Sequence, residues 1–379
     1  MTGTEARRLA WAYLSGVLQG PCAAMNQFVD AVGVLDAAAA VRERELPKVL
    51  RNKTIARRDR VDPARDLEAV ERVGGRLVTP DDEEWPAWRM LAFSVQNRPD
   101  DECGAPLCLW VVGESSLSAV TDRAIGVVGA RAATGYGRHV TADIVGELAA
   151  DGWTTVSGAA YGIDAAAHRA ALAMQAPTVA LLACGVDQVY PSSHARLLAA
   201  VAECGLLVSE YPPGTAVTKY RFLERNRLIA GLSEAVLVVE AGWRSGARNT
   251  AMWARRLGRP ALAVPGPVTS ALSTGCHQMI RDGQARLVTR ASEVIDEAAP
   301  MCLPVTGESG PHRPTDALAG DMLRVYEAFP AIGSRGATEL AETSGVPVES
   351  VCSAIPALVD AGFVGTDERG WYRKHRTET

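Results

Sequence analysis

The sequence lacks any segment that would place the chain in a membrane. Its 379 residues contain no uninterrupted apolar run of about 18, close to the minimum length of a transmembrane helix. The first residues, MTGTEARRLAWAYL, include an acidic side chain and have no apolar core before a small-residue cleavage site, so they do not resemble a secretory signal. We therefore expect a cytoplasmic protein without a membrane partner.

Cysteine is present, but not in a pattern that binds a metal or builds a disulfide framework. The eight cysteines stand at irregular spacings, and none of them forms a C-x-x-C pair. Such scattered thiols are typical of a reducing compartment, whereas zinc sites and disulfide-rich domains have paired cysteines. The sequence accordingly predicts neither a metal nor a cofactor.

Positive charge is also in short supply. With 39 lysines and arginines against 44 aspartates and glutamates, the net charge is −5 at pH 7. A strongly basic coat is therefore absent, and any site for nucleic acid has to be a local patch. The hydrophobic fraction of 47% is typical of a globular chain with a proper core, and the length allows two or three domains.

Short apolar strands alternate with helix-length segments over residues 122–297. This alternation predicts an α/β fold in which helices cover both faces of a parallel sheet. Earlier strands at 76–78 and 107–112 are interpreted as the lead-in to that sheet. The strands predicted in the alternating part are 125–128, 153–156, 178–183, 206–209, 235–239, 260–264 and 286–288.

Changes in composition divide the chain into four segments. The first 75 residues have an amphipathic, Ala- and Leu-rich pattern that predicts a small helical domain. Its charged stretch at 51–65, with Arg57, Arg58 and Arg60, is interpreted as a solvated face, with a contact to DNA as the alternative. The remaining segments are the α/β domain at 76–297, a linker rich in Pro, Gly and Ser at 298–317, and a small unit at 318–376.

The small C-terminal unit has the pattern of a winged helix. Three helical segments, at 318–329, 337–343 and 348–361, precede a predicted hairpin around a polar turn at 367–370. Pro356 interrupts the third helix, which offers few cations to a DNA groove. Contact with a protein is therefore at least as good an interpretation as contact with DNA.

The stretch Ile125–Gly137, IGVVGARAATGYG, combines a buried strand, a glycine loop and the start of a helix. This layout directs backbone N–H groups and a helix N-terminus at an anion, and Arg131 would add a cation for a phosphate. The stretch matches neither the dinucleotide fingerprint nor a Walker loop. A loop that needs glycine only for its shape is the alternative.

Two later loops repeat this layout after other strands. One is Ser157-Gly158-Ala159-Ala160-Tyr161-Gly162, and the other is Ser245-Gly246 with Asn249 in the helix that follows. Because the carboxyl ends of parallel strands meet at one edge of a sheet, we expect the three loops to converge on one anion-binding surface. Asp164 and His168 are interpreted as a helix cap and a packed histidine rather than an acid–base pair.

The most basic stretch of the α/β domain is Lys219–Ile229, KYRFLERNRLI. Cations interleaved with an aromatic ring suit single-stranded nucleic acid, because cations follow the phosphates while a ring stacks on a base. Lys219, Phe222, Arg225 and Arg227 are the candidates for these contacts. A solvated helix face is the alternative.

Seven motifs stand together in the α/β domain: VGAR at 128–131 with YG at 136–137, SGAAYGIDAAAH at 157–168, GVDQVYP at 185–191, SEYPPG at 209–214, FLERNRLIAGLS at 222–233, VVEAGWRSGARNTA at 238–251 and VPGPV at 264–268. Together they resemble the motifs of the DNA-processing protein A family, DprA, also called Smf. Ala130, His194 and His277 depart from residues that are common in the family.

The resemblance implies an extended Rossmann fold that binds single-stranded DNA and has no catalytic activity. It further implies a cytosolic homodimer that displaces single-strand binding protein and loads RecA recombinase during natural transformation. An N-terminal helical domain of the SAM or helix-hairpin-helix kind and a C-terminal winged helix also fit the family's architecture. The phosphate-binding residues it implies are Arg131, Ser157, Gly158, Lys219 and Gly246, with Phe222 stacking on a base.

Two other classes of function are weighed against this interpretation. One is a Rossmann-like nucleotide-processing enzyme, similar to the phosphoribohydrolases that carry a P-G-G-x-G-T-x-x-E loop. The corresponding stretch here, Ser245–Ala251, has no glutamate three residues after its threonine, so the hydrolytic carboxylate is missing. The other is a transcription regulator acting through the C-terminal unit, which its few cations disfavour.

Overall fold

A computed structural model describes residues 3–94, 104–298, 315 and 318–374. The chain divides into two compact units, and the division falls between residues 298 and 318. The predicted linker at 298–317 lies almost wholly outside the described residues. Each unit is described by itself below.

The larger unit is built on a nine-stranded sheet. Its strands follow the spatial order β1-β2-β6-β5-β4-β3-β7-β8-β9. The pairs from β6 to β9 are parallel, whereas β1 with β2 and β2 with β6 are antiparallel. The strands are β1 (Gly75–Val78), β2 (Leu109–Val112), β3 (Ala124–Val128), β4 (Thr154–Ser157), β5 (Thr178–Leu181), β6 (Leu206–Ser209), β7 (Ala235–Val238), β8 (Ala261–Ala263) and β9 (Arg286–Leu287).

The strand order reverses at β3, which is the point where a doubly wound sheet opens a crevice. From β3 the chain moves outwards through β4, β5 and β6 on one side, then returns to pair β7 with the other side of β3. Loops that leave β3 and β7 therefore separate to opposite faces at their carboxyl ends. Each predicted strand is present, with ends that differ by up to about two residues from the apolar pattern.

Helices cover both faces of this sheet, as the alternation predicts. Ile125 and Val127 of β3 pack into one apolar cluster, while Ala124 and Val128 of the same strand pack into another on the opposite face. The helices are α6 (Ala87–Ser94), α7 (Leu117–Asp122), α8 (Gly135–Ala150), α9 (Ile163–Ala173), α10 (Ala195–Cys204), α11 (Lys219–Gly231), α12 (Gly246–Arg256), α13 (Thr274–Arg281) and α14 (Ala291–Ala298).

The N-terminal helices pack directly on the sheet. Trp110 of β2 is fully buried, and its indole N–H donates to Ser15 Oγ at 3.3 Å, which ties the first helix to the strand. The predicted helices are present, but the boundary at residue 75 does not coincide with a break in packing, because both sides share one apolar cluster. These helices are α1 (Gly3–Leu18), α2 (Ala23–Val32), α3 (Val34–Glu43), α4 (Lys48–Thr54) and α5 (Pro63–Glu71).

Among the described helices, none has by itself the length and apolar content of a membrane span. The helices α2 and α3 reach both only when they are counted together, and they meet at 114°. Gly33 joins them with a φ of 85°, a conformation that glycine adopts at little cost.

The smaller unit contains three helices and a β-hairpin. Val325, Leu340, Val351, Leu358 and Val364 are fully buried in its core, and they come from the three helices and the first strand of the hairpin. Pro356 lies inside the third helix, which nevertheless continues to Asp360. The elements are α15 (Gly320–Glu327), α16 (Ala337–Ser344), α17 (Val348–Asp360), β10 (Val364–Asp367) and β11 (Gly370–Arg373).

Candidate nucleic-acid interface

A crevice of about 730 Å³ opens at the carboxyl ends of β3 and β7, at the reversal of strand order. Residues from the loop after β3, from α11 and from the loop before α12 line it together. The sequence-predicted residues that the fold brings into this crevice are Arg131, Lys219, Phe222, Arg225, Ser245 and Gly246. Three segments that are far apart in the chain thus form one continuous surface.

The rim of the crevice is positively charged. Arg131, Lys219 and Arg244 all line it and are all exposed. Asp164 is the one acidic residue among the described residues that line it, and its carboxylate accepts from backbone N–H groups inside the protein. A protein of net charge −5 therefore carries a local cationic surface of the kind that a polyanion needs.

Two aromatic rings lie beside these cations. The Arg131 guanidinium carbon is 5.2 Å from the centroid of the Phe222 ring, within the range of a cation–π contact. The Tyr190 ring is 5.6 Å from the Phe222 ring, with the two planes tilted by 49°. Tyr190 is exposed and Phe222 is half-buried, so part of this aromatic pair is accessible next to the charges.

Helix α11 sets which of its side chains reach the crevice. It begins at Lys219, so Phe222 lies within its first turn. With 3.6 residues per turn, the helix presents Lys219 and Phe222 to the crevice while turning other cations inward. Arg221, Arg225 and Arg227 are all buried.

Arg225 is an internal cation that supports the loop after β4. Only 4% of it is exposed, and its Nη1 donates to Gly158 O at 2.7 Å and to Leu181 O. It also interacts with the buried Asp164, and it opposes the rise that burial causes in the pKa of that carboxyl. Arg225 lines the crevice, but it is buried and its Nη1 is committed to these two backbone carbonyls.

Arg227 does not belong to the interface, which corrects the sequence-based assignment. It is fully buried, and its Nη2 lies 2.5 Å from Glu210 Oε1 in an ion pair. The spacing of cations along a helix does not show which of them is buried in an ion pair with a carboxylate from another segment. We therefore remove Arg227 from the candidate phosphate-binding residues.

The loop after β4 is less open than its sequence suggests. Ser157 is fully buried and donates to Val127 O at 2.6 Å, so its hydroxyl faces the sheet rather than a ligand. Asp164 accepts from the N–H groups of Gly158 (3.2 Å) and Ala160 (3.4 Å). Two of the predicted anion-binding amides are therefore already bonded within the protein.

Gly162 has a steric role in the same loop. Its φ is 80°, and a Cβ at this position would lie 2.1 Å from Ala130 O, so only glycine fits. This close approach brings the loop after β4 against the loop after β3. Gly162 thereby helps to position Arg131 without itself lining the crevice.

The loop before α12 is the most open of the three. Ser245 caps the helix, its hydroxyl accepting from Ala247 N at 3.2 Å, and Gly246 is exposed at the first helical position. The side chain of Asn249 accepts from Asn226 Nδ2 at 3.1 Å, which fixes α12 against α11. An anion at Gly246 would meet the positive end of the α12 dipole beside Arg244.

His168 is a packed histidine, as the sequence suggested. It is fully buried, and its Nδ1 is 2.8 Å from Thr178 Oγ1. Burial lowers the pKa of His168 to about 3, so the ring is neutral at physiological pH. Within the described part of the chain, no cluster of three or more His, Cys, Asp or Glu side chains could hold a metal ion.

Sequence reasoning missed three contributors to the site. Arg244 stands directly before the predicted Ser245 loop, and that adjacency was a usable signal. Tyr190 lies in the motif at 185–191, but the sequence does not show that its ring lies against Phe222. Glu240 lies in the motif at 238–251, but the sequence does not show that it accepts from Thr134 N at 2.9 Å at the start of α8.

Comparison with known proteins gives consistent results along most of the chain. Residues 76–299 match the family described as DNA recombination-mediator protein A. A Mycobacterium tuberculosis protein provisionally named DNA processing protein DprA is 46% identical over 363 residues, which cover 96% of this chain and 93% of the relative. Protein Smf of Escherichia coli is 35% identical over 327 residues, covering 83% and 82%.

A solved structure agrees with these matches. The X-ray structure of DNA processing protein A (DprA) from Streptococcus pneumoniae superposes with a TM-score of 0.64 at 29% identity, covering 77% of this chain and 97% of that one. The parallel sheet with its many helices is therefore shared. The chain belongs to the DNA recombination-mediator protein A family, the family of the DNA processing proteins DprA and Smf.

Proposed function

We propose that this protein binds single-stranded DNA across the crevice at the carboxyl ends of β3 and β7, and that it does so without catalysing a reaction. The observation that carries the proposal is the meeting of Arg131, Lys219 and Arg244 with the Phe222 ring in one crevice. Membership of a DNA-processing family supports the same conclusion.

The physical argument rests on the two kinds of contact that an unpaired strand makes. Exposed cations neutralise successive phosphates, and the exposed Gly246 at the start of α12 offers a further anion-binding position. A ring beside these cations stacks on a base, and only an unpaired base presents its face to a protein surface. The crevice therefore favours single strands over duplex.

The wider role that we propose follows the description of the family as a recombination mediator. The protein would protect incoming single strands in the cytoplasm, displace single-strand binding protein and load RecA recombinase during transformation or recombination. It would act as a homodimer. These partners are proposed from family membership.

We also infer that the C-terminal unit is a winged helix that contacts protein. Its three helices and hairpin have the required order. Helix α17, the candidate recognition helix, contains no lysine or arginine, and its charged residues are Glu349 and Asp360. An acidic helix of this kind would be repelled by the phosphates that flank a DNA groove.

The proposal is tested by comparing fluorescent oligo-dT with a duplex of the same length in binding titrations. Single strands should bind at least tenfold more tightly than duplex. Equal affinities would contradict the proposed interface. Release of free base from a nucleoside monophosphate, followed by chromatography, would instead show an enzyme.

A further inference from the structure

A buried carboxylate already occupies the helix N-terminus that the glycine loop after β3 would offer to a phosphate. Glu240 follows β7 and is only 1% exposed. Its Oε2 accepts from Thr134 N at 2.9 Å, and its Oε1 accepts from Thr134 Oγ1 at 2.5 Å. Thr134 is the N-cap of the 16-residue helix α8, so this carboxylate lies at the positive end of the helix dipole.

A second observation shows that the loop is shaped around this carboxylate. A Cβ on Gly137 would lie 2.2 Å from Glu240 Oε2, so the third residue of α8 has no side chain where Glu240 enters. Thr134 Oγ1 meanwhile accepts from Gly137 N at 3.0 Å. The N–H groups of Thr134 and Gly137 thus donate into a hydrogen-bonded chain in which Glu240 is the terminal acceptor.

The neighbouring loop has the same arrangement. Asp164 is 6% exposed and accepts from the N–H groups of Gly158 and Ala160 after β4. In two of the three anion-binding loops predicted from the sequence, a carboxylate of the protein itself therefore accepts from the backbone N–H groups. The loop before α12 differs, since it is capped by the neutral Ser245 hydroxyl and leaves Gly246 exposed.

We propose that Glu240 is a specificity-determining residue that closes the α8 N-terminus to the phosphates of free nucleotides. A strand, a glycine loop and a helix ordinarily accept a terminal phosphate or pyrophosphate at this position. Here the carboxylate supplies the acceptor and the negative charge itself, so a phosphate would meet both a filled position and a like charge. The closure of the α8 N-terminus by Glu240 does not depend on the function proposed above. The use of the remaining surface by a DNA backbone does depend on it.

The test uses the full chain, with inorganic pyrophosphate as the probe. Glu240→Ala removes the internal acceptor and opens its space. We expect it to bind pyrophosphate at least tenfold more tightly than the wild type, at matched ionic strength in sodium chloride. Hydrogen exchange should place the new protection at residues 134–137.

Glu224→Ala is the matched control. Glu224 is a half-buried carboxylate that accepts from Tyr211 Oη at 2.8 Å rather than from a helix N-terminus. Its removal should leave the affinity for pyrophosphate at the wild-type level. A similar gain in both variants would mean that any lost negative charge has this effect, and the proposal would be wrong.

Glu240→Gln covers the case in which Glu240→Ala does not fold. It keeps the shape and removes the charge, so we expect pyrophosphate to bind at least threefold more tightly than it does to the wild type. If neither variant folds and also binds pyrophosphate more tightly than the wild type, the proposal is wrong. It is also wrong if pyrophosphate protects residues 134–137 of the wild type from hydrogen exchange. The proposed function is tested separately, by titrating the wild type with oligo-dT. The pyrophosphate results do not depend on whether the protein binds DNA.

Discussion

The Arg131 guanidinium lies over the Phe222 ring, 5.2 Å from its centroid, although the two residues come from the loop after β3 and from helix α11. This contact places the cation that we propose for a phosphate directly beside the ring that we propose for a base. A cation and a ring that contact the same nucleotide must lie close together, because the phosphate and the base are joined through one sugar. The pair is therefore the centre of the proposed interface.

The aromatic half of this pair gives the first prediction. Phe222→Ala should weaken binding of oligo-dT by about 1–3 kcal/mol, the contribution of one base stacked on one ring. Phe222→Trp should retain the affinity, because it keeps a ring face. Leu223→Ala is the control, since Leu223 lines the same crevice but has no ring. Equal losses for Phe222→Ala and Leu223→Ala would show that stacking is not the contact.

The cations give the second prediction. Arg131→Ala and Lys219→Ala should each lower single-strand affinity, and each should reduce the salt slope of log K by about 0.7, the contribution of one phosphate. Circular dichroism should show an unchanged fold, because both side chains are exposed.

Arg169→Ala is the control for those two variants. Arg169 is exposed on α9 and does not line the crevice, so its loss removes the same charge at a different place. Unchanged affinity for both Arg131→Ala and Lys219→Ala would remove the proposed site. An equal loss for Arg169→Ala would show only a general effect of net charge.

Replacement of Arg227 should affect the stability of the fold, whereas replacement of Arg131 or Lys219 should affect DNA binding. Because its ion pair with Glu210 is fully buried, Arg227→Ala leaves an unpaired charge and should destabilise the fold by roughly 3–5 kcal/mol. Chemical denaturation measures this loss. Removing both charges, with Arg227→Leu and Glu210→Gln, should recover part of it. A stable Arg227→Ala variant with impaired DNA binding would return Arg227 to the interface.

His168 predicts how stability depends on pH. Burial lowers its pKa to about 3 in the folded protein, so the unfolded chain binds a proton that the folded chain does not. Its contribution to stability is therefore present above the unfolded pKa and is lost as pH falls from about 6.5 towards 3, by roughly 1.4 kcal/mol per unit.

The measurement compares the wild type with His168→Asn by urea denaturation between about pH 7 and about pH 4.5. The variant should be less stable at neutral pH, because it loses packing around Thr178. The difference in the free energy of unfolding should narrow in acid, because the wild type loses stability as His168 is protonated in the unfolded chain. Asparagine does not take up a proton, so the variant has no such loss. A difference that stays constant with pH would show that His168 is not held neutral.

The sheet could be predicted from the sequence because its signal is local. Buried strands such as β3 are continuous apolar runs, and the helices between them fix a parallel order. The antiparallel pairing of β2 with β6 could not be predicted in this way, because it joins residues nearly a hundred positions apart. The packing across residue 75 could not be predicted for a similar reason, since Trp110 and Ser15 meet only in the folded chain.

The site was predictable in position but not in each residue. Convergence of loops at the carboxyl ends of strands placed Arg131, Lys219 and Gly246 in one crevice, as topology requires. The sequence did not show the internal partners of the other candidates. Ser157 bonds to a strand carbonyl and Arg227 to Glu210, and both partners lie in other parts of the chain.

The salt dependence of oligo-dT binding to the wild-type protein tests the central claim most directly. If Arg131, Lys219 and Arg244 each neutralise a phosphate, log K should fall linearly with the logarithm of salt concentration, with a slope of about −2 or steeper. A flat response, or no binding at low salt, would contradict a cationic crevice that holds a single strand.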